Sequence, residues 1–225
     1  MMPTPLNCIE IGPETAERSI IWLHGLGANG HDFEPIVQEL NFPPEAKIRF
    51  IFPNAPNRNV TINAGVSMPA WYDIRAMDFT NYEDDEGIHT SQKQIEQLIE
   101  NERQRGVQAK NIILAGFSQG GAIALQTALR YQHTLAGVMA LSAYLPLANT
   151  LETEASKLNK SIAIFQAHGT HDPVIPISMA EDTRYILEQF GYSIEFHNYR
   201  MEHGVHPDEI LHIKDWIVNT FKLEG

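Results

Sequence analysis

The chain has 225 residues, 43% of them hydrophobic and 20% charged, which suits one globular unit with a sizeable core and excludes a disordered polyelectrolyte. A formal net charge of −12 with no run of Lys and Arg excludes a nucleic-acid partner, because phosphate backbones need a clustered basic surface, and speaks against constitutive docking on anionic lipid. The single cysteine, Cys8, excludes an internal disulfide and suits a reducing compartment.

The first residues, Met1-Met2-Pro3-Thr4-Pro5-Leu6-Asn7-Cys8, have neither a basic start nor an apolar core, and no apolar run reaches the ~20 residues of a membrane span. A cytoplasmic protein is expected. Residues 18–24 read as a buried strand, and Gly25-Leu26-Gly27-Ala28-Asn29-Gly30 after it is too glycine-rich to continue strand or helix. A loop with unencumbered N–H groups therefore forms at the strand's carboxyl end, where open α/β sheets bind ligands. Asp32 is expected to cap a helix carrying Phe33, Ile36, Val37 and Leu40, which residues 41–44 stop.

Residues 48–52 form a second strand, broken by Pro53, and no period is sustained from residue 53 to 86. A structureless stretch that long is usually functional, as a lid or a wall of a binding site. Its apolar residues, Val66, Met68 and Trp71 among them, are candidate walls of an acyl pocket; for Trp71 a satellite core packed over the sheet edge is an equal alternative. The acidic residues 81–86 read as a solvated turn, since they lack the spacing and closing glutamate of a calcium loop. Residues 91–105 give a helix with Ile95, Leu98 and Ile99 inward and Gly106 at its end.

The strand at 111–115 runs into Gly116-Phe117-Ser118-Gln119-Gly120, and small residues then open an amphipathic helix that ends near residue 131. Ser118 stands at the apex of a turn so tight that its backbone is strained and side chains at 116 and 120 would collide with the neighbouring strand and helix. Its hydroxyl lies near the positive end of the following helix. The Gln119 N–H points at the same space, and the Leu26 N–H of the glycine loop is assigned as the second donor to a developing oxyanion. Gly-x-Ser-x-Gly alone occurs by chance in many proteins; here the strand, turn and helix around it supply the confirming context.

Further strands are expected at 135–141, 161–167 and 193–199, with helices at 179–190 and from Pro207 onward. Six strands alternating with helices predict an α/β fold with a mostly parallel central sheet covered by helices on both faces, a single domain over residues 1–225. Ser118, Asp172 and His203 each follow a strand, so all three emerge along one edge of the sheet, in the order Ser, Asp, His. A serine hydroxyl is a poor nucleophile at neutral pH, so an imidazole must take its proton and a carboxylate must fix the imidazole. His203 sits in the loop after the last strand, whereas His206 starts a helix, His212 lies within it and His197 lies in a strand. Asp208 and Glu209 read as first-turn helix residues with solvated charge, which leaves Asp172 as the acid. The pairs His168-x-x-His171 and His203-x-x-His206 have metal-ligand residue types. Neither sits on a helix with a glutamate between its members, and zinc would leave the serine turn unexplained, so no metal is expected.

Taken together, Leu23-His24-Gly25-Leu26-Gly27, Phe52-Pro53-Asn54-Ala55-Pro56, Ala70-Trp71-Tyr72-Asp73-Ile74, Gly116-Phe117-Ser118-Gln119-Gly120-Gly121, His168-Gly169 with Asp172-Pro173-Val174-Ile175-Pro176, and Met201-x-His203 resemble the carboxylesterase, lysophospholipase and acyl-protein thioesterase family of small α/β-hydrolases. The resemblance implies an α/β-hydrolase fold and hydrolysis of carboxylic esters or thioesters by Ser118, Asp172 and His203, with Leu26 and Gln119 as oxyanion donors and no cofactor. The expected substrate is a small acyl ester or lipid. Two positions depart from the family pattern: Ala28-Asn29-Gly30 replaces Asp-Thr-Gly, and Gly204 replaces a serine after the histidine. A catalytically silent binding scaffold, or a peptidase or lactone hydrolase, are the alternatives. The apolar residues 60–74 also suit a transient membrane-surface contact or a homodimer, and both stay open.

Overall fold

The computed structural model describes residues 5–76 and 82–223. Nine strands occur among them: β1 (Cys8–Ile11), β2 (Arg18–Leu23), β3 (Ile48–Pro53), β4 (Asn57–Val60), β5 (Val66–Pro69), β6 (Ile112–Phe117), β7 (Gly137–Leu141), β8 (Ala163–Gly169) and β9 (Ile194–Tyr199). The helices are α1 (Ile36–Leu40), α2 (Asp85–Gln104), α3 (Gln119–Arg130), α4 (Leu151–Glu154), α5 (Ile177–Gln189) and α6 (Pro207–Phe221).

Seven strands form the central sheet in the order β1-β3-β2-β6-β7-β8-β9, parallel throughout except for β1, which runs antiparallel to β3 at the edge. The alternation within β2 shows why both faces are covered. Ile21 and Leu23 join the side chains of α2, α3 and α5 on one face, while Ile20 and Trp22 join those of α1 and α6 on the other. Successive strands step outward to β3 on one side of β2 and then restart at β6 on its other side. That reversal opens a crevice at the carboxyl ends of β2 and β6, where α/β sheets take their ligands.

Several local expectations need correction. The helix foreseen from Asp32 is split into a short 3₁₀ turn, Gly30–Asp32, capped by Asn29, and α1, because Pro35 restarts the chain. The stretch after β3 is not structureless: β4 and β5 pair as an antiparallel hairpin with Val60 opposite Val66. Helix α2 begins at Asp85, six residues before the expected start, and Asp84 ahead of it is buried rather than solvated. Of the foreseen acidic turn, residue 81 lies outside the described residues. Glu209 is fully buried, not a solvated first-turn acid.

Candidate active site

Ser118 connects β6 to α3 with φ 54° and ψ −122°, a backbone conformation costing about 1–3 kcal/mol that persists only when its surroundings impose it. They do so from both sides. The Ser118 N–H donates to the Leu141 carbonyl at 2.8 Å, and the Ser118 carbonyl accepts from Ala122 at 3.1 Å. A Cβ on Gly116 would lie 2.3 Å from the Gly120 carbonyl, and one on Gly120 would lie 2.4 Å from the Leu23 carbonyl, so glycine is required at both places for strand and helix to approach this closely.

The glycine loop after β2 is fixed from two directions. The His24 ring accepts the Ala55 N–H at Nε2, 3.0 Å, which puts its proton on Nδ1, 2.7 Å from the Gly25 carbonyl; burial lowers the pKa of this imidazole and keeps it neutral. The Gly27 N–H donates to Pro69 at 2.8 Å. Trp71 then ties both halves of the site together. Its indole N–H donates to the His24 carbonyl at 2.8 Å and its backbone N–H to Gln119 Oε1 at 2.8 Å, while Gln119 Nε2 donates to the Tyr72 carbonyl at 2.7 Å. The backbone N–H groups of Leu26 and Gln119 make no hydrogen bond to another described residue. The departure at Ala28-Asn29-Gly30 is accommodated locally: Asn29 Oδ1 accepts from His31 at 2.9 Å and the Gly30 N–H reaches Asn54 Oδ1 at 2.8 Å.

Beyond β8 the chain turns so that Asp172 Oδ1 accepts the N–H groups of Val174 at 2.8 Å and Ile175 at 2.9 Å. Its other oxygen, Oδ2, lies 2.6 Å from His203 Nδ1. An imidazole paired with a carboxylate through Nδ1 carries its proton there and leaves Nε2 as the basic nitrogen. His168, buried with a lowered pKa, donates from Nε2 to the Ile175 carbonyl at 2.8 Å and stands 3.4 Å from Asp172 Oδ2, closing the turn from beneath. The loop carrying His203 is laced to the β8 exit by Thr170 N–H to Tyr199 at 2.8 Å and His171 N–H to Met201 at 3.0 Å. The Phe117 ring packs against the His203 ring, centroids 4.8 Å apart. A Cβ on Gly204 would meet nothing within 4 Å, so no close packing requires glycine at the departure after His203.

Ser118 and His203 face one cavity of about 610 Å³, within the range of small-molecule sites, though no hydrogen bond joins them. Such bonds often tighten only when substrate arrives. Leu26, Ile62, Ile74, Val174 and Ile175 supply much of the apolar wall, and Tyr72 and Tyr144, their hydroxyls 2.8 Å apart, supply a polar pair. The three residues proposed from sequence as pocket walls are elsewhere. Trp71 has no exposed surface and serves as a buried tie, and neither Met68 nor Val66 borders the cavity; Val66 is 55% exposed on the hairpin. The signal for Ile62 and Ile74 was the same apolar loop, and Val174 and Ile175 directly follow the acid. His168 and His171, the foreseen rival metal pair, diverge, one into the core and one to solvent. Among the described residues no cluster of three or more His, Cys, Asp or Glu is placed to hold a metal ion.

Comparison with known proteins agrees with this architecture. The phospholipase/carboxylesterase family model matches residues 6–221. Acyl-protein thioesterase 1 of Cryptococcus neoformans is 34% identical over 241 aligned positions, covering 98% of this chain and all of that one. The protein of the same name from Neurospora crassa is 38% identical, covering 95% of this chain and 90% of its own. The crystal structure of Arabidopsis thaliana SOBER1 superposes with a TM-score of 0.86 at 29% identity, covering 91% of this chain and 99% of that one.

Proposed function

The chain belongs to the phospholipase/carboxylesterase family of ester and thioester hydrolases, and from that premise we propose that it cleaves acyl esters or thioesters through an acyl-enzyme on Ser118, with His203 as base and Asp172 as its orienting acid. The observation that carries this reading is the 2.6 Å contact between Asp172 and His203 at the wall of the cavity into which the strained Ser118 projects.

His203 Nε2 takes the hydroxyl proton as Ser118 attacks the carbonyl carbon, and the resulting imidazolium is stabilised by Asp172. The oxyanion is received by the Leu26 and Gln119 N–H groups, of which each is worth about 2.7–4 kcal/mol in a site of this kind. The imidazolium then protonates the leaving alcohol or thiol, and water activated by the same imidazole releases the acid. The apolar wall of Leu26, Ile62, Ile74, Val174 and Ile175 supports an acyl group rather than a charged substrate. The relatives named acyl-protein thioesterase extend the proposed substrates to thioesters on proteins, with lysophospholipids as the lipid counterpart. The same reading takes residues 1–225 as one catalytic domain in the cytoplasm; what supports the compartment is the single cysteine, Cys8, which forms no internal disulfide. A transient contact of residues 60–74 with a membrane surface or a second copy stays part of this reading, with Val66 as the exposed apolar side chain of that stretch.

Turnover of a graded series of acyl esters and matched thioesters, with the wild type and with Ser118→Ala, tests the proposal. Saturable hydrolysis that tracks acyl length and disappears in the variant is expected; undiminished hydrolysis by Ser118→Ala would overturn it.

A further inference from the structure

Glu209 is the third residue of α6 and has no exposed surface. Its Oε2 accepts the backbone N–H of His206 at 3.1 Å, half of a capping box whose other half is the His206 ring accepting from Asp208 at 3.2 Å. Its Oε1 is buried with no hydrogen-bond partner among the described residues. Burial pushes this carboxyl up to about 7. Helix capping accounts for the Oε2 bond but not for the complete burial of the carboxyl group. A solvated acid in the first turn would serve the helix equally well and would avoid the desolvation of a carboxyl with one oxygen unpaired.

Its place in the chain does account for it. The segment from Arg200 to His206 bears His203 and is fastened at its start by Met201, which accepts from His171, and by Tyr199, which accepts from Thr170. Its far end is fastened by Glu209 through His206, three residues beyond His203 as Met201 is two before it. The Tyr199 ring, stacked on His206 with centroids 5.6 Å apart, closes the same end. Glu209 is what holds the His206 backbone itself; the other contacts at this end are the Tyr199–His206 ring stack and the 3.4 Å bond from Ser142 Oγ to the Gly204 carbonyl.

We propose that Glu209 is a positioning residue for His203: its buried carboxyl group holds the His206 end of the loop and thereby fixes the imidazole between Asp172 and Ser118. The proposal rests on His203 being the base. Glu209→Ala removes the acceptor, Glu209→Asp keeps the charge on an arm too short to reach, and Glu209→Gln keeps an acceptor oxygen at the same reach. Each is assayed on a short acyl ester after its fold is checked by circular dichroism, beside His203→Ala. Glu209→Ala and Glu209→Asp should lose about 10- to 100-fold in kcat with KM within twofold, the cost of a base displaced by roughly an ångström, and Glu209→Gln should stay within threefold of wild type. A folded Glu209→Asp with undiminished kcat would overturn the proposal even if Glu209→Ala fails to fold, and so would a Glu209→Gln as impaired as Glu209→Asp. If His203→Ala is inactive while the Glu209 variants are normal, only this inference fails; if His203→Ala keeps full activity, the assignment of the base fails instead.

Discussion

The two rims of the central sheet treat polar groups in opposite ways. At the amino rim Arg49 and Glu102, each 1% exposed, are saturated: Arg49 donates to Glu102 Oε2 at 2.8 and 3.0 Å and to the Pro13 and Glu14 carbonyls at 2.9 and 3.0 Å, and Ser19 donates to the same carboxylate. At the carboxyl rim the Ser118 hydroxyl and the N–H groups of Leu26 and Gln119 have no partner among the described residues, though the side chains behind them are tightly bonded. One rim is closed on itself and contributes stability. The other keeps donors and a nucleophile uncommitted for a ligand, on a scaffold that leaves them little freedom to move.

Substitutions should therefore separate the two rims. Ser118→Ala should lower kcat on the order of 10⁴- to 10⁶-fold while its urea midpoint stays at or above that of wild type, because no hydrogen bond of the folded state is lost. Arg49→Met leaves the buried Glu102 carboxylate with only Ser19 and the partly exposed Arg105 as partners and should cost about 1–3 kcal/mol in urea unfolding with kcat unchanged in the folded fraction. Gln119→Ala crosses the boundary: it strips the bonds to Trp71 and Tyr72 and should cost about 1–3 kcal/mol in stability, together with a fall in kcat/KM as the oxyanion loop loosens. A Gln119→Ala enzyme with normal kcat/KM would show that the buried tie and the open rim are independent.

The smallest effect is a pH dependence. Glu209 is raised from its ordinary 4.5 to about 7 by burial, so between those values the folded state binds a proton that the unfolded chain has released. Stability from this group is complete below pH 4.5 and is lost as pH rises toward 7. Subtracting the Glu209→Gln stability profile from that of wild type should reveal this decline, and a flat difference would contradict the burial of the charge.

What the sequence made legible follows where the signals were local. The continuous apolar runs gave the parallel strands, and Gly116-Phe117-Ser118-Gln119-Gly120 between strand and helix gave the turn, because backbone sterics there depend on residues adjacent in the chain. The positions of Asp172 and His203 were legible because a parallel sheet delivers every strand end to one rim. Partner-dependent features were not. Cys8–Ile11 is too short to announce a strand and gains its order from pairing with β3, and Asn57–Val60 is too polar to read as half of a hairpin. Trp71 looks the same in sequence whether it faces a ligand or ties His24 to Gln119, and the burial of Glu209 depends on elements that meet only in the fold.

The uncommitted hydroxyl at the carboxyl rim is the centre of the account, and reaction with a fluorophosphonate followed by peptide mapping tests it most directly. One equivalent of label on Ser118, slowed strongly by His203→Ala and absent from Ser118→Ala, is the predicted result. Label on another residue, or full labelling of Ser118→Ala, would contradict it.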